Sequence, residues 1–223
     1  MFIAPEGYRL VGVDASGLEL RCLAHYTYPF DDGMYANEIL DGDIHTANQL
    51  AAGLPNRDQA KTFIYALLYG AGDHKIGSIV GGGRREGREV KGRFFRKIPA
   101  LKRLREGVAH RLKNQDYLTG IDGRKLKIRS PHSALNTLLQ SAGAIAMKAA
   151  TCILHDKIAD TRPGDVLQVA HIHDEIQFQV KTEIAEDVGV LSVQSIREAG
   201  ESLGFKCPLD GEYKIGRNWA ETH

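Results

Sequence analysis

Apolar and polar positions along this chain alternate with two different periods, and the change from one to the other marks the elements. Tyr8 to Val13 is a β-prone run ending in Asp14, after which Ala15-Ser16-Gly17 turns into a helical segment, LELRCLAHY. Residues 31 to 56 are polar and loop-rich, with a short helix expected over Ile44 to Ala52. In RDQAKTFIYALLYG, Ala60, Phe63, Ile64 and Leu67 follow the i, i+3, i+4, i+7 rule of a half-buried helix, with Leu68 as the one misfit. Asn56 is a good N-cap, Gln59 stands three residues on as in a capping box, and Gly70-Ala71-Gly72 ends the run. A glycine break at Gly81-Gly82-Gly83 opens a basic stretch that reads as one or two helices kinked by Pro99. IDGRKLKIR reads as a small hairpin turning at Asp122-Gly123, and Ser133 to Asp156 is the longest apolar-periodic run, a buried helix. Val166 to Val180 consists of two alternating runs meeting at His173-Asp174, a hairpin with a charged apex. A helix over Thr182 to Leu203 then precedes a short strand and the tail GEYKIGRNWAETH. The first strand and the hairpin are expected to share a sheet, with the 31 to 130 region inserted between them. The chain has no internal repeat, low-complexity tract or flexible interdomain linker.

The face of the 57–70 helix opposite its apolar side carries Arg57, Lys61, Tyr65 and Tyr69, one every four residues. Each such step drifts by only about 40°, so two cations and then two phenols run along roughly 18 Å of helix axis. That order matches a nucleoside triphosphate, with phosphates at the cations and sugar and base at the rings. The pattern is equally that of a solvated outer face with half-packed tyrosines, and the stripe alone leaves both readings open.

With 223 residues and 43% apolar composition, the chain can bury one or two modest cores, and a soluble globular protein is expected. The N-terminus MFIAPEGYRL has no cationic region followed by an apolar run, no apolar stretch approaches bilayer length, and no membrane partner is expected. Cys22, Cys152 and Cys207 are odd in number and lack CxxC spacing, against a disulfide framework or zinc site, so a reducing cytoplasm fits. The net charge of +1 conceals segregation: twelve cations between Arg84 and Lys113 meet only Glu86, Glu89 and Glu106, while acids gather around Asp31 to Asp43 and from Asp174 to Glu201. Such a distribution suits a polyanion on one side and metal-binding or solvated acids on the other, although a basic helix pair is also ordinary soluble surface.

Asp14 ends a strand and Asp174 tips a hairpin, so two carboxylates far apart in sequence can meet at the edge of one antiparallel sheet. Magnesium is held by one or two carboxylates plus substrate phosphates and water, and paired ions serve an in-line phosphoryl displacement. Helix capping by Asp14 and turn formation by Asp174 are the competing uses.

VDASGLELRCLAHY, RDQAKTFIYALLYGAG and HIHDEIQ, in this order, closely resemble motifs A, B and C of family A DNA polymerases, and specifically the phage replicative branch related to bacterial DNA polymerase I. GDIHTANQLAAGLPNRDQAK, DGRKLKIRSPHSALNTLLQSAGA and the closing GRNWAETH extend the resemblance over nearly the whole chain. It implies an α+β right-hand palm, an antiparallel sheet with helices, formed by residues 1–26 and 129–223, with a helical fingers subdomain inserted at 27–128. It implies template-directed addition of deoxynucleotides from dNTPs to a primer 3′-hydroxyl, with primer-template DNA as partner and two Mg2+ ions as cofactors. Asp14 and Asp174 resemble the metal-binding aspartates, with the carbonyl of Ala15 as an extra ligand and Glu175 as the neighbouring acid. Arg57, Lys61 and His45 resemble the contacts to the incoming triphosphate; the cations would neutralise charge on the leaving pyrophosphate, which Lys61 is also placed to protonate. Tyr65 resembles the residue packing on the deoxyribose, Tyr69 the one stacking at the nascent pair, and Gly70 its small neighbour. Glu19 falls where the family excludes a ribose 2′-hydroxyl. Asn136 and Gln140 match residues probing the primer-template minor groove, His132 lies a turn earlier, and His173 matches the position beside the primer terminus.

Family members carry a thumb and usually an exonuclease domain upstream of motif A. Because only thirteen residues precede Asp14, both are expected to be absent here, the chain being either one piece of a split polymerase whose thumb and exonuclease are a separate polypeptide, with low activity until that partner is present, or a truncated gene product. The expected compartment is the cytoplasm, that of the host cell if the source is a phage. A noncatalytic polymerase-like subunit and a single-subunit RNA polymerase fragment are the alternatives. Joint presence of Asp14, Asp174, Arg57, Lys61 and Glu19 argues against the first, and Glu19 argues against the second.

Overall fold

Tyr8–Ala15 forms the strand read from its sequence, β1, and helix α1 (Leu18–Asp31) follows it; a computed structural model of the protein describes residues 2–161 and 164–223. Next come five helices, α2 (Met34–Leu40), α3 (Ile44–Ala52), α4 (Arg57–Leu68), α5 (Asp73–Ile79) and α6 (Arg84–Lys97). Helix α7 (Pro99–Arg111) and the short strands β2 (Tyr117–Thr119) and β3 (Lys125–Lys127) lead to the long helix α8 (Ala134–Lys157). The chain closes with β4 (Val166–Ile172), β5 (Glu175–Lys181), α9 (Ala185–Ser202), β6 (Gly211–Gly216) and α10 (Trp219–Thr222). This mixture of helices and antiparallel strands is the α+β class that was expected. Contacts divide it into two compact units, Met1–Glu19 with Ala142–His223, and Leu20–Ser141.

The first unit is built on one four-stranded sheet in the order β4-β5-β1-β6, every neighbour antiparallel, so β1 and the hairpin do share a sheet. Residues directly opposite in an antiparallel pair point to the same face. The register therefore sorts β1 cleanly. Val11 and Val13 share a face with Phe178, Ile176, Ile215 and Tyr213, and Gly189 of α9 packs so closely on the Tyr213 ring that a Cβ there would collide with it. Gly12 and Asp14 share the other face with Gln177, Glu175, Lys214 and Glu212. There α10 sits on Gly12, where an added Cβ would strike Thr222, and the Thr222 hydroxyl donates to Gln177 Oε1 at 3.0 Å. Covering on both faces explains why Leu10, Val11, Gly12 and Val13 are all buried rather than alternating.

The second unit packs α4 against its neighbours through Ala60, Phe63, Ile64 and Leu67, and Phe63 meets Phe94 of α6 edge-on at 5.1 Å. Leu68, the misfit of the pattern, is fully buried with them and belongs to the core face. Asn56 caps α4 by accepting from the Gln59 N–H at 2.8 Å, but Gln59 Oε1 is buried without a partner, so only half of the expected capping box forms. The basic stretch is two helices rather than one, broken at Ile98 with Pro99 opening α7, where a missing N–H is harmless.

Four local expectations are corrected. The loop-rich region after residue 31 holds α2, started by Asp31, whose carboxylate accepts from the Gly33 and Tyr35 N–H groups; burial of Tyr35 and its hydrogen bond to Asn48 come from tertiary packing that periodicity does not report. Helix α1 runs on through Pro29 to Asp31, past the end of the apolar segment. The small hairpin pairs Tyr117 with Lys127, so its strands start earlier and its loop spans Gly120 to Arg124, closed by the Gly120 N–H to Arg124 carbonyl bond, instead of a two-residue Asp122-Gly123 turn. Finally, Pro131–Lys157 is long and apolar enough to cross a bilayer by length and composition. Its composition is that of a core helix: Ala142, Ala146, Met147, Ala150 and Leu154 are buried in the protein.

Helix α5, which no pattern signalled, owes its place to glycines. A Cβ on Gly87 would meet the Asp73 carbonyl and the Gly77 N–H, and one on Gly77 would meet the Gly83 carbonyl, so backbone touches backbone where α5 meets α6. Gly87→Ala is expected to destabilise the protein by about 2 kcal/mol, since rigid backbone must move. Gly107→Ala, at an exposed α7 site with open space around it, is expected to stabilise by about 0.5 kcal/mol. Urea unfolding of the two variants checks both signs.

Candidate active site

Asp14 ends β1 opposite Glu175 on one side and Glu212 on the other, so the sheet register lines up three carboxylates on one face. The hairpin apex adds a fourth. The Ala15 N–H donates to the Asp174 carbonyl at 3.0 Å, drawing His173-Asp174 against the end of β1. His173 holds φ at 56°, the left-handed region that glycine or asparagine usually fills in two-residue hairpin turns, so a strained residue sits directly before Asp174. Burial first, then the charges of Asp174, Glu175 and Glu212, push the Asp14 carboxyl up to about 6, with His223 pulling the other way. Among the described residues neither Asp14 nor Asp174 has a lysine or arginine ion-pair partner.

Glu175 is handled differently. Its Oε1 accepts from Trp219 Nε1 at 2.7 Å and from Gln177 Nε2 at 2.6 Å, and its Oε2 lies 2.6 Å from His223 Nδ1. Burial would raise its pKa, but the bonds from Gln177, His223 and Trp219 outweigh it and hold the carboxyl below its usual value. Glu175 thus ties the C-terminal tail to the sheet. Asp14, Glu175, Glu212, Lys214 and His223 line a cavity of about 180 Å³ beneath that tail. The tail's part was not legible in the chain, although GRNWAETH is its only tryptophan-bearing segment. Glu19 stands in the first turn of α1.

In the second unit, the α4 stripe is exposed or half-buried as its pattern required, and His45 of α3 joins it. The His45 and Tyr65 rings lie 6.4 Å apart. Burial, then Arg57 and Lys61, holds the His45 imidazole below its usual pKa, and its Nδ1 is buried without a hydrogen-bond partner. Arg57 donates through Nε to Asp43 Oδ2 at 2.9 Å, a contact no sequence pattern signalled. Asp43 could have been recognised only as the N-cap of α3.

The proposed template and primer residues of this unit also meet. Gln140 Nε2 donates to the Tyr69 hydroxyl at 3.3 Å across 71 residues, and Gly70, at φ 80°, abuts the His132 carbonyl so closely that a side chain would not fit. Asn136, one turn before Gln140, has a buried Nδ2 with no partner. Beside them opens a cleft of about 1010 Å³, whose walls include Gly70, His132, Arg84, Lys91, Arg96 and Arg105.

The sequence pattern that defines DNA polymerase family A matches residues 1–221, and the chain belongs to that family. It is 48% identical over 95% of its length to the DNA-directed DNA polymerase of Enterobacteria phage T3, and 47% identical over the same share to that of Escherichia phage T7. DNA polymerase I of Pseudomonas aeruginosa is 26% identical across the whole chain. The chain spans 33% of the length of each of those phage relatives.

The acidic cluster has a measurable consequence. The folded-state value of about 6 lies above the ordinary 3.8, so the stability Asp14 contributes is present in acid and lost as pH rises through about 6. In protein freed of divalent metal by chelation, Asp14→Asn is expected to raise the melting temperature at pH 7.5 by about 3 °C. The gain should close at pH 4, read by scanning calorimetry; a gain that persists in acid would show that charge is not its cause.

Proposed function

We propose that this chain is the catalytic portion of a template-directed DNA polymerase, extending a primer 3′-hydroxyl with deoxynucleoside monophosphates from dNTPs during DNA replication. The observation that carries the reading is the family match over residues 1–221, together with carboxylates gathered at Asp14 and cations with phenols aligned on α4. In this reading residues 1–26 and 129–223 are the palm and 27–128 the fingers. The host cytoplasm is the compartment it implies.

The carboxylates fit a divalent cation by their chemistry: like charges oppose one another around Asp14, and neither Asp14 nor Asp174 has a lysine or arginine ion-pair partner among the described residues. Among those residues no three His, Cys, Asp or Glu side chains form a metal cage by themselves. That is consistent with magnesium, which takes one or two carboxylates and completes its shell with phosphate and water oxygens. Asp14, Asp174 and the Ala15 carbonyl would hold two Mg2+ ions. Bound there, the metal supplies activation of the primer hydroxyl and neutralisation of the entering and leaving oxygens.

The chain's own residues do the rest. Arg57 and Lys61 attract the triphosphate and offset charge on the departing pyrophosphate, and Lys61 gives it a proton. His45, neutral and with an unpartnered ring nitrogen, has hydrogen-bonding capacity for a phosphate oxygen or its proton. Tyr65 packs on the sugar, and Glu19 crowds the position a 2′-hydroxyl would take. Tyr69 and Gly70 face the nascent pair. His132, Asn136 and Gln140 read the minor groove, the unpartnered Asn136 amide being free to donate there, while His173 and Glu175 stand at the primer end.

Primer extension is the test, run on the chain alone and with a polypeptide carrying the family's thumb and exonuclease. Asp14→Ala and Asp174→Ala are each expected to lower the rate by about a thousand-fold. Glu19→Ala is expected to raise ribonucleotide incorporation relative to deoxynucleotide by about ten-fold. Extension by neither arrangement, or unchanged rates in both aspartate variants, would leave a noncatalytic subunit as the better reading.

A further inference from the structure

Asp43 is placed to act on two of the nucleotide contacts at once. Its Oδ1 accepts from the backbone N–H of His45 at 3.0 Å and of Thr46 at 3.3 Å, which fixes the first turn of α3. Its Oδ2 accepts from the Thr46 hydroxyl at 2.8 Å and from Arg57 Nε at 2.9 Å. One carboxylate therefore joins the start of α3, which carries His45, to the start of α4, which carries Arg57 and Lys61.

Two features separate this pair from an ordinary surface ion pair. Arg57 and Asp43 are about half exposed, with side-chain exposures of 52% and 45%, so the pair adds little to stability and its consequence lies in where it holds the guanidinium. A guanidinium also has five N–H donors, of which a carboxylate engages at most two in a bidentate pair, so the rest remain available to phosphate.

We infer that Asp43 is a positioning residue of the triphosphate site, holding the Arg57 guanidinium in place before nucleotide arrives. The inference rests on the reading of Arg57 as a phosphate contact. Arginine loses much rotamer freedom when it binds, and a guanidinium already anchored through Nε has less to lose. The opposing effect is repulsion between the carboxylate and the polyphosphate. It is limited because the charge of Asp43 is already met by four donors, one of them a guanidinium.

The test is a double-mutant cycle on the full chain, reading equilibrium binding of a fluorescent deoxynucleoside triphosphate with magnesium, and of inorganic tripolyphosphate as competitor. Asp43→Asn keeps a good N-cap and removes the charge, and circular dichroism verifies the fold of each variant. In the wild-type background Asp43→Asn is expected to weaken binding of both ligands about five-fold; in the Arg57→Ala background it should change neither. Unchanged or tighter binding by Asp43→Asn, with Arg57→Ala clearly weakened, overturns the positioning role while leaving the triphosphate site standing. The same loss in the Arg57→Ala background also overturns it, since the effect would then run through the α3 cap. Arg57→Ala without effect overturns the phosphate reading itself, and the role of Asp43 with it.

Discussion

The pairing of β1 between β5 and β6 is the constraint on which the first unit depends. Antiparallel register places Asp14 opposite both Glu175 and Glu212 and turns all three to the same face, an arrangement that opposes like charges. A sheet optimised only for stability would avoid it. The surrounding structure confines the repulsion instead of removing it. Glu175 is locked by Gln177, Trp219 and His223 and stays ionised, so the strain is concentrated on Asp14, whose carboxyl is pushed towards neutrality. The hairpin apex, with His173 in a left-handed conformation, then presents Asp174 at the same edge. Stability is given up where a cation would return it.

The second unit presents cations on an outer helix face and pairs one of them, Arg57, with the carboxylate of Asp43. Helix α4 divides into a core face of Ala60, Phe63, Ile64, Leu67 and Leu68 and an outer stripe that keeps contact with solvent. Burial on one side fixes the rotation of the helix, and rotation alone decides that Arg57, Lys61, Tyr65 and Tyr69 point the same way. Asp43 then adds what helix geometry cannot, a fixed place for a long flexible arginine. A comparable division holds at Tyr69 and Gly70: the glycine permits close approach of the His132 carbonyl, and the tyrosine hydroxyl is met by Gln140 from α8.

Much of this was legible because it depends on local periodicity. The helix beginning after Asn56, the two-residue apex at His173-Asp174, the buried helix after Ser133 and the helix from Ile44 to Ala52 all appeared where pattern and capping residues placed them. Helices α2 and α5 did not. The first depends on Tyr35 being buried against Asn48, and the second on glycine contacts with α6, so neither carries an apolar stripe of its own. The anchoring of Glu175 by the C-terminal tail, and of Arg57 by Asp43, joins residues 44 and 14 positions apart, beyond the reach of any helical or strand repeat.

The order of residues by itself determined the motifs that place the chain in family A, and it marked out the candidates for the proposed chemistry, the two aspartates at strand and hairpin ends and the four-residue stripe. It could do so because helix and strand periods translate spacing directly into facing. Only the tertiary structure decided how those groups are charged and held. Asp14 stands among three other carboxylates, Glu175 is tied down by the tail, and His45 keeps an unpartnered nitrogen beside Arg57 and Lys61. Those properties depend on burial and on distances between segments remote in sequence, which exist only once the chain has folded.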